Sequence, residues 1–328
     1  MNITMRAVNI INKDGDAHLK IQEVPKPEIA RHEVLIKSRA TALNRADLLQ
    51  RKGLYSPPPG ESEILGLEVA GEIEAIGSEV TRWKKGDRVM AILGGGGYAA
   101  YVKASAGLLM PIPGQMDFNT AAGIPEAFLT AWQALHWLAK IGESEKILVH
   151  AGASGVGTAA IQLAREKNCT VIVTASEAKH ALCFKLGASQ CIDYKSTNFD
   201  EVLENEKVGV DVVLDFVGGP YLEQNMKVLN LDGRIIQIGL LGGSGPIQFD
   251  IGLLLRKRIS LIGTTLRNRT IQYKSELIKD FSQQCLPLFE TGKLSPVVDR
   301  VFNWHEVENA HQYMQSNRNQ GKIILEIK

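Results

Sequence analysis

Hydrophobic and polar positions change their pattern near residue 125. Before this point, short runs of β-forming residues alternate with glycine, proline and charged residues, which is typical of a small all-β unit. We expect strands of a barrel-like unit at residues 5–11, 19–24, 33–40, 69–76, 88–92 and 98–102. Four consecutive glycines at residues 94–97 predict a flexible loop over or near a cleft, because glycine has no side chain to pack.

After residue 125, strands alternate with helices. Helices are predicted at residues 155–167 and 179–186, and strands at residues 146–150, 170–174, 191–193, 210–216, 234–238 and 259–264. Most of these strands are almost continuously apolar, as parallel strands covered on both faces are. Six strands with intervening helices predict an α/β, doubly wound sheet. Two further helices (275–290 and 304–316) and a strand (322–327) are expected near the C-terminus.

Length and charge narrow the class of protein. The 328 residues correspond to about two domains, and 45% hydrophobic with 22% charged residues is a soluble, globular composition. The formal net charge of +1 gives no excess positive field for nucleic acid or an acidic membrane. Arg256-Lys257-Arg258 is the one basic cluster, and we interpret it as a solvated loop before a strand. No apolar run of transmembrane length and no secretory signal are evident.

The four cysteines indicate the compartment. No two of them have the C-x-x-C spacing, so neither a zinc ribbon nor a disulfide framework is suggested. A reducing, cytoplasmic location fits this pattern.

The strongest local motif follows the strand predicted at residues 146–150. There a turn of small residues opens a helix, which suits a dinucleotide: its pyrophosphate approaches the backbone closely and meets the free N–H groups of the first helical turn. On the G-x-G-x-x-G motif, the glycine positions fall on Gly152, Ser154 and Gly157, so Gly155 and the Ser154 hydroxyl have to replace the second glycine. The strand-turn-helix context favours dinucleotide binding over a ligand-free turn.

The end of the second strand decides which dinucleotide is expected. NAD sites usually place Asp or Glu there to bind the ribose 2′-OH. Here the position is small and neutral, Ser176 follows, and Lys179 comes three residues later. A lysine facing a 2′-phosphate contributes about 1.5–3 kcal/mol, so we favour NADP(H). Two observations oppose this: Glu177 could turn inward, and Lys179 taken alone is an ordinary solvated helix lysine.

With these motifs, the chain resembles the medium-chain dehydrogenase/reductases. It is most similar to the zinc-free quinone oxidoreductases, and among them to the p53-inducible quinone oxidoreductase-like group. The stretches that carry the resemblance cover nearly the whole chain in order; they are residues 42–48, 50–60, 64–71, 86–89 and 126–132, together with the phosphate loop.

The resemblance implies a GroES-like, β-barrel-type catalytic domain made of residues 1–127 and 273–328. A six-stranded Rossmann nucleotide-binding domain, residues 128–272, is inserted between these parts. The family usually forms homodimers or tetramers, with the cofactor in the cleft. By similarity, the adenine half would be lined by Gly155, Val156, Ser176, Lys179 and Tyr194. The residues near the nicotinamide would be Asn44, Thr130, Gly239 and Leu240, with further cofactor contacts from Leu266 and Asn317.

A catalytic zinc, which the alcohol dehydrogenases of this superfamily need, is not expected. Asn44 stands where the first thiolate would be, and Gly66-Leu67-Glu68 replaces Gly-His-Glu. An amide and a leucine cannot complete a zinc site. His305 and His311 do not form a ligand cluster either, and we interpret them as lying on a solvated helix face.

Without a metal, hydrogen-bond donors have to polarise a carbonyl acceptor, and one such donor can contribute about 2.7–4 kcal/mol. The candidates are the Asn44 amide and the Tyr55 phenol, which lies directly before a turn of three prolines. Alternatively, Tyr55 only packs on those prolines. Asp47 could orient Asn44 or Arg51, or pair with a surface arginine.

These residues predict NADPH-dependent reduction of a quinone by direct hydride transfer, without metal or flavin. Solvent is expected to supply the protons, since hydroquinone oxygens are only modestly basic. One alternative is an enal or enone reductase with the same fold and cofactor. Another is a non-catalytic relative that keeps the nucleotide site and acts as a structural or RNA-binding protein. No G-x-S-x-G elbow, P-loop or HExxH motif supports a hydrolase, kinase or metalloprotease.

Overall fold

The computed structural model describes residues 3–13 and 16–328, with the side chains of residues 13 and 16 left out. The chain forms two compact units. One contains both chain ends, Met1–Leu129 and Leu266–Lys328, and is called the terminal unit below. The other, Thr130–Thr265, is called the central unit. The sequence-based boundaries were placed after residues 127 and 272.

The strands are numbered in chain order. They are β1 (Thr4–Lys13), β2 (Asp16–Pro25), β3 (Glu33–Ala42), β4 (Glu68–Ile76), β5 (Arg88–Ile92), β6 (Tyr101–Ser105), β7 (Leu109–Pro111), β8 (Lys146–Val149), β9 (Thr170–Thr174), β10 (Gln190–Ile192), β11 (Val210–Asp215), β12 (Leu229–Gln237), β13 (Ser260–Gly263), β14 (Val298–Asn303) and β15 (Lys322–Glu326).

The helices are numbered in the same way. They are α1 (Arg45–Arg51), α2 (Phe118–Ala121), α3 (Pro125–Trp132), α4 (Gly155–Glu166), α5 (His180–Leu186), α6 (Phe199–Asn205), α7 (Leu222–Val228), α8 (Ile251–Lys257), α9 (Ile271–Glu290) and α10 (Val307–Gln315). The segment Gln133–Leu138 is π-helical, and a 3₁₀ turn at Glu177–Lys179 precedes α5. Helix α9 begins four residues before the predicted start, because the Thr270 hydroxyl accepts a hydrogen bond from Tyr273 N and caps it.

The terminal unit is built on a seven-stranded sheet. Its strand order is β14-β15-β3-β4-β5-β7, with β6 also paired to β3, and β1 and β2 form a separate antiparallel pair. Apolar side chains of β3, β4 and β5 alternate into one buried cluster, as the period of two predicts. Its members include Val34, Ile36, Val69, Ile73, Val89 and Ala91.

Three predictions for the terminal unit were wrong. His311, expected on a solvated helix face, is buried, and its Nε2 lies 3.3 Å from Tyr98 Oη. The strand expected at residues 98–102 lies at Tyr101–Ser105, because the residues before it bond to β1 instead: Val8 N donates to Tyr98 O, and Ala100 N donates to Arg6 O. The glycine run at residues 94–97 is not an open loop. All four residues are buried, and Gly96 N donates to Ile64 O while Gly97 N donates to Gly66 O.

The central unit is a six-stranded parallel sheet in the order β10-β9-β8-β11-β12-β13. This is the doubly wound order 3-2-1-4-5-6 of dinucleotide-binding folds. The inner strands β8, β9 and β11 are almost wholly buried, which explains their continuous apolar sequence. The predicted α/β class and the six-stranded doubly wound sheet are confirmed.

The loop predicted for the basic cluster at residues 256–258 was wrong. Arg256 and Lys257 form the last turn of α8 instead of a loop. Each charge has a partner: Arg256 pairs with Asp250, Arg258 pairs with Asp232, and Lys257 Nζ donates to the carbonyl oxygens of residues 226, 227 and 229.

Within the described residues, no helix is both long and apolar enough to cross a membrane. Cys169, Cys183, Cys191 and Cys285 are free thiols.

Candidate active site

The phosphate loop after β8 can be built only from small residues. Ala151 has a φ of +50°, and a side chain on Gly152 would put its Cβ 2.7 Å from Val173 Cβ on the neighbouring strand. A Cβ on Gly157 would lie 2.4 Å from Ala151 O and 2.6 Å from Gly152 O. Since these are backbone atoms, they cannot rotate away. The first and third glycine positions of the motif are therefore required by close packing between the strands, the loop and the helix.

Ser154 occupies the second glycine position and starts α4. Its Oγ accepts a hydrogen bond from Gly157 N at 3.0 Å, the geometry of a helix N-cap. The hydroxyl hydrogen is not used in that bond, so Ser154 can still donate to a phosphate. The N–H groups of the first turn, which includes Gly155 and Val156, point to the same end of the helix. The loop fits a dinucleotide pyrophosphate.

The other predicted cofactor residues of the central unit follow the ends of its strands. Ser176 and Lys179 come after β9, Tyr194 after β10, and Gly239 and Leu240 after β12. Because the strands are parallel, these residues and the phosphate loop lie along one edge of the sheet.

The cofactor residues predicted in the central unit differ in exposure. Tyr194 and Leu240 are exposed, Lys179 and Ser176 are partly buried, and Thr130 in α3 is buried. Leu266, Asn317 and Asn44, which were also predicted to contact the cofactor, belong to the terminal unit.

A buried polar chain at the same edge of the sheet was missed by the sequence analysis. His150, directly after β8, has Nδ1 2.9 Å from Thr174 Oγ1 and Nε2 2.7 Å from Asn225 Oδ1. Asn225 Nδ2 donates to Asp215 Oδ2 at 3.0 Å, and the other oxygen of Asp215 accepts from Val217 N and Gly218 N.

Burial lowers the pKa of His150, an effect that the nearby Asp215 opposes, so the ring is neutral. This series of hydrogen bonds joins the ends of β8, β9 and β11 and holds the loops that follow these strands. A histidine and an aspartate at the ends of two apolar strands were the available signal in the sequence.

In the terminal unit, Asn44 lies at the centre of a second polar cluster. Its Nδ2 donates to Glu68 Oε1 at 2.9 Å and to Ala42 O at 3.3 Å, while its Oδ1 accepts from Lys322 Nζ at 2.7 Å. Lysine can only donate, which fixes the orientation of the amide. Both amide hydrogens of Asn44 thus have partners inside the unit. The Tyr55 phenol, the other predicted donor, has no hydrogen-bond partner among the described residues.

Lys322 and Glu68 form a buried ion pair beside Asn44. Lys322 Nζ lies 2.7 Å from Glu68 Oε1, and the side chains are 4% and 0% exposed. Lys322 also donates to Leu43 O at 3.0 Å. Glu68 is further held by Glu126 N, which donates to its Oε2 at 2.8 Å. Every strong hydrogen-bonding group of the pair is therefore satisfied, as a buried pair requires.

Asp47 orients Asn44 through the backbone. Its Oδ2 accepts from Asn44 N at 2.7 Å, and its Oδ1 accepts from Gly66 N at 3.2 Å. Tyr98 Oη also donates to Asp47, at 3.1 Å. Burial raises the pKa of Asp47 to about 6, although these bonds oppose the shift. Arg51 is bound elsewhere, by Glu308 and by Ala17 O, so Asp47 serves Asn44 and not Arg51.

Tyr55 lies beside a buried arginine. The Arg267 guanidinium is 5.1 Å from the centre of the Tyr55 ring, and its Nη1 donates to Tyr55 O at 3.4 Å. Arg267 also donates to Gly94 O at 2.7 Å and to Gln50 Oε1 at 2.8 Å. Burial, and then the charge of Glu126, raise the pKa of Tyr55, while Arg267 opposes them. The phenol therefore keeps its proton at neutral pH and can donate a hydrogen bond.

Leu266 and Asn317, the other two predicted cofactor residues of this unit, differ from each other in exposure. Leu266 is buried, whereas Asn317 is exposed, has a φ of +58°, and accepts a hydrogen bond from Arg45 Nη2.

Glu126 is the second functional candidate that the sequence analysis missed. It lies in the first turn of α3, its Oε2 is buried, and none of the described residues forms a hydrogen bond with that oxygen. Burial, and then the charge of Glu68, raise the pKa of Glu126 to about 8. The signal in the sequence was a single acidic residue inside the apolar run 121–132.

The residues of this cluster do not fit a zinc ion. Asn44 already uses its oxygen and its amide hydrogens, and Leu67 beside Glu68 offers no ligand atom. Among the described residues, no three His, Cys, Asp or Glu side chains are grouped so as to hold a metal.

Comparison with known proteins gives the family. Residues 30–114 match the alcohol dehydrogenase GroES-like domain, and residues 186–325 match the zinc-binding dehydrogenase domain. The quinone oxidoreductase of Lama guanicoe is 33% identical over 99% of this chain and 98% of its own length. The chain belongs to the medium-chain dehydrogenase/reductase family.

Solved structures agree with this assignment. The CurK enoyl reductase matches with a TM-score of 0.87 and 30% identity, over 99% of both chains. The quinone oxidoreductase of Coxiella burnetii matches with a TM-score of 0.81 and 31% identity, over 99% of this chain and 100% of that one. The protein is thus an oxidoreductase with a GroES-like domain and a Rossmann domain for a nicotinamide cofactor.

Proposed function

We propose that this medium-chain reductase is a zinc-independent, NADPH-dependent quinone oxidoreductase. The observation that carries the proposal is the terminal-unit cluster around Asn44, in which an amide and a buried ion pair stand where a metal site would be. Tyr55, beside Arg267 in the same unit, adds a phenol that keeps its proton. Preorganised donors of this kind stabilise negative charge on a carbonyl oxygen during reduction. The quinone oxidoreductase relatives support the choice of acceptor.

In the central unit, the phosphate loop and Ser154 would hold the pyrophosphate, and Lys179 would hold the 2′-phosphate. The bound NADPH supplies a hydride. The small, neutral end of β9 favours NADPH over NADH, because an acidic residue there would repel the phosphate. Tyr194, Gly239 and Leu240 remain proposed contacts along the same edge of the sheet.

In the terminal unit, Tyr55 would donate its phenolic hydrogen to the acceptor oxygen. Asn44 would act differently from the donor first expected, since its amide is committed to Glu68 and Lys322. It would position those charges behind the acceptor. Asn44→Ala and Tyr55→Phe should therefore both lower turnover and leave NADPH affinity largely unchanged.

The cofactor assignment is tested by titrating the purified protein with NADPH and NADH. We expect tighter binding of NADPH, and we expect Lys179→Glu to weaken it by about 10- to 100-fold with little effect on NADH. Lys185→Glu, at an exposed position in the following helix, is the matched control. Equal losses for the two cofactors would refute the 2′-phosphate contact.

An enal or enone reductase is the second candidate, and the match to the CurK enoyl reductase favours it. Hydride would then reach the β-carbon, and Tyr55 would stabilise the enolate oxygen. Comparing NADPH oxidation with a benzoquinone and with an enal separates the two. Cofactor binding with no turnover of either would favour a non-catalytic relative.

We also infer a homo-oligomer, a dimer or tetramer, assembled in the cytoplasm. Strand β13 ends the order of the central sheet, and Leu261 on it is 43% exposed. Two copies related by a two-fold axis can pair such strands. Sedimentation of the wild type and of Leu261→Lys tests this, and a monomeric wild type would refute it.

A further inference from the structure

Glu68 and Glu126 lie in a buried environment in which, among the described residues, Lys322 is the cation that forms an ion pair with Glu68. Glu68 takes that ammonium at 2.7 Å, together with the Asn44 amide at 2.9 Å and Glu126 N at 2.8 Å. In the described part of the chain, Glu126 Oε2 has no hydrogen-bond partner. When one of two neighbouring carboxyl groups has an ion pair and hydrogen bonds and the other has none, the two differ in protonation. The group with these partners keeps the negative charge, and the other keeps its proton. Glu68 is therefore the carboxylate and Glu126 is the acid.

The charged and titratable groups that act on Glu126 come from every neighbouring part of the unit. They are Glu68 on β4, Asp47 on α1, Lys322 on β15, Lys274 on α9, Tyr55 after α1 and Arg267 before α9. Lys322 and Lys274 favour the carboxylate form of Glu126, but within the described residues neither forms an ion pair with Glu126. Lys274 Nζ instead donates to Arg267 O at 3.4 Å. Burial and the two other carboxylates prevail.

An electrostatic interaction between Glu126 and Tyr55 suggests a use for the Glu126 proton. The charge of Glu126 disfavours the tyrosinate and so contributes to the raised pKa of Tyr55. Both groups hold their protons at neutral pH, and Tyr55 is the proposed donor to the acceptor oxygen. This part of the argument rests on the proposed function.

We propose that Glu126 is the proton donor of the reduction and delivers its carboxyl proton to the acceptor oxygen that Tyr55 holds. The electron balance is simple. Bound NADPH would supply a hydride, that is, a hydrogen with its electron pair, to the acceptor, which would leave negative charge on an oxygen. The O–H bond of Glu126 breaks, and a new O–H bond forms on the reduced acceptor. Water then returns a proton to the Glu126 carboxylate. This proposal differs from the expectation that solvent alone protonates the product.

The experiment combines kinetics with infrared spectroscopy on the full-length protein. With a benzoquinone or an enal as acceptor, wild-type kcat/KM should fall about tenfold per pH unit above pH 8. Glu126→Gln should lower kcat by about 100-fold or more and remove this dependence. Glu126→Asp should keep a pH-dependent rate, because it keeps an acid at the site. Glu28→Gln, at an exposed position in the same unit, is the control.

Infrared difference spectra between pH 6 and pH 10 report the proton without any turnover. We expect a protonated-carboxyl band in the wild type and in Glu28→Gln that titrates near pH 8 and is missing in Glu126→Gln. Absence of that band in the wild type would overturn the inference. So would equal rates and pH profiles for the wild type and Glu126→Gln. A normal band without turnover of any acceptor would show that the proposed function itself had failed, and the donor role with it.

Discussion

The two units meet the same chemical problem, the binding of polar groups, by different means. The central unit uses backbone: its loop is shaped by Gly152 and Gly157, and its N–H groups are left free by the helix start at Ser154. The terminal unit uses buried side chains, and places Lys322, Glu68 and Asn44 in mutual hydrogen-bond contact.

The difference shows what each site depends on. A loop that binds through its backbone needs free space around its glycines, so one added methyl group is enough to disturb its structure and binding. A buried charge cluster is limited by charge balance, so loss of one partner is the harmful change. Substitutions of each kind should therefore have their large effects in different units.

The largest expected effect is on the buried ion pair. Lys322→Met should lower the free energy of unfolding by about 3–5 kcal/mol, because it leaves Glu68 charged, buried and unpaired. Urea unfolding at pH 7 measures this. Lys328→Met, which removes an exposed partner of Glu326, should cost less than about 1 kcal/mol. If the double variant Lys322→Met/Glu68→Gln were no more stable than the single one, charge imbalance would not be the cause.

The next effect is on the phosphate loop. Gly157→Ala places a methyl group against Ala151 O and Gly152 O, so we expect a loss of about 1–3 kcal/mol in unfolding free energy and weaker NADPH binding. Gly245→Ala is the matched control, because nothing lies within 4 Å of its added Cβ. Fluorescence titration and thermal melts measure both properties. Unchanged NADPH affinity in Gly157→Ala would contradict the backbone account of this site.

The smallest effects, when expressed per pH unit, concern the pH dependence of stability, and they have opposite signs at His150 and Glu126. Burial lowers the pKa of His150 below 6.5, so the unfolded chain binds the proton more readily and stability is lost as pH falls below 6.5. Burial raises the pKa of Glu126 from 4.5 to about 8, so the folded chain keeps the proton and stability is lost as pH rises between these values.

Each slope is at most about 1.4 kcal/mol per pH unit for one proton. His150→Asn should flatten the unfolding free energy between pH 5 and pH 6.5, and Glu126→Gln should flatten it between pH 5 and pH 8. Chemical unfolding at several pH values measures both. His305→Asn, at an exposed position, is expected to leave both slopes unchanged. Slopes unaltered by the two core variants would contradict the assigned protonation states.

Much of the fold and of the cofactor loop could be predicted from the sequence. Apolar runs gave the parallel strands, and the small residues from Gly152 to Gly157 gave the phosphate loop, because strand, turn and helix start are consecutive in the chain. The glycine run at residues 94–97 misled, since glycine permits tight burial as well as mobility.

By itself, then, the sequence determined the class of fold, the cofactor loop and the absence of a cysteine–histidine ligand pattern around Asn44. The tertiary structure decided which groups are charged. Lys322 is 254 positions from Glu68 in the chain, and it pairs with that residue, whereas the described residues give Glu126 Oε2 no hydrogen-bond partner. Protonation depends on burial and on neighbours from distant segments, and no local pattern of residues contains either.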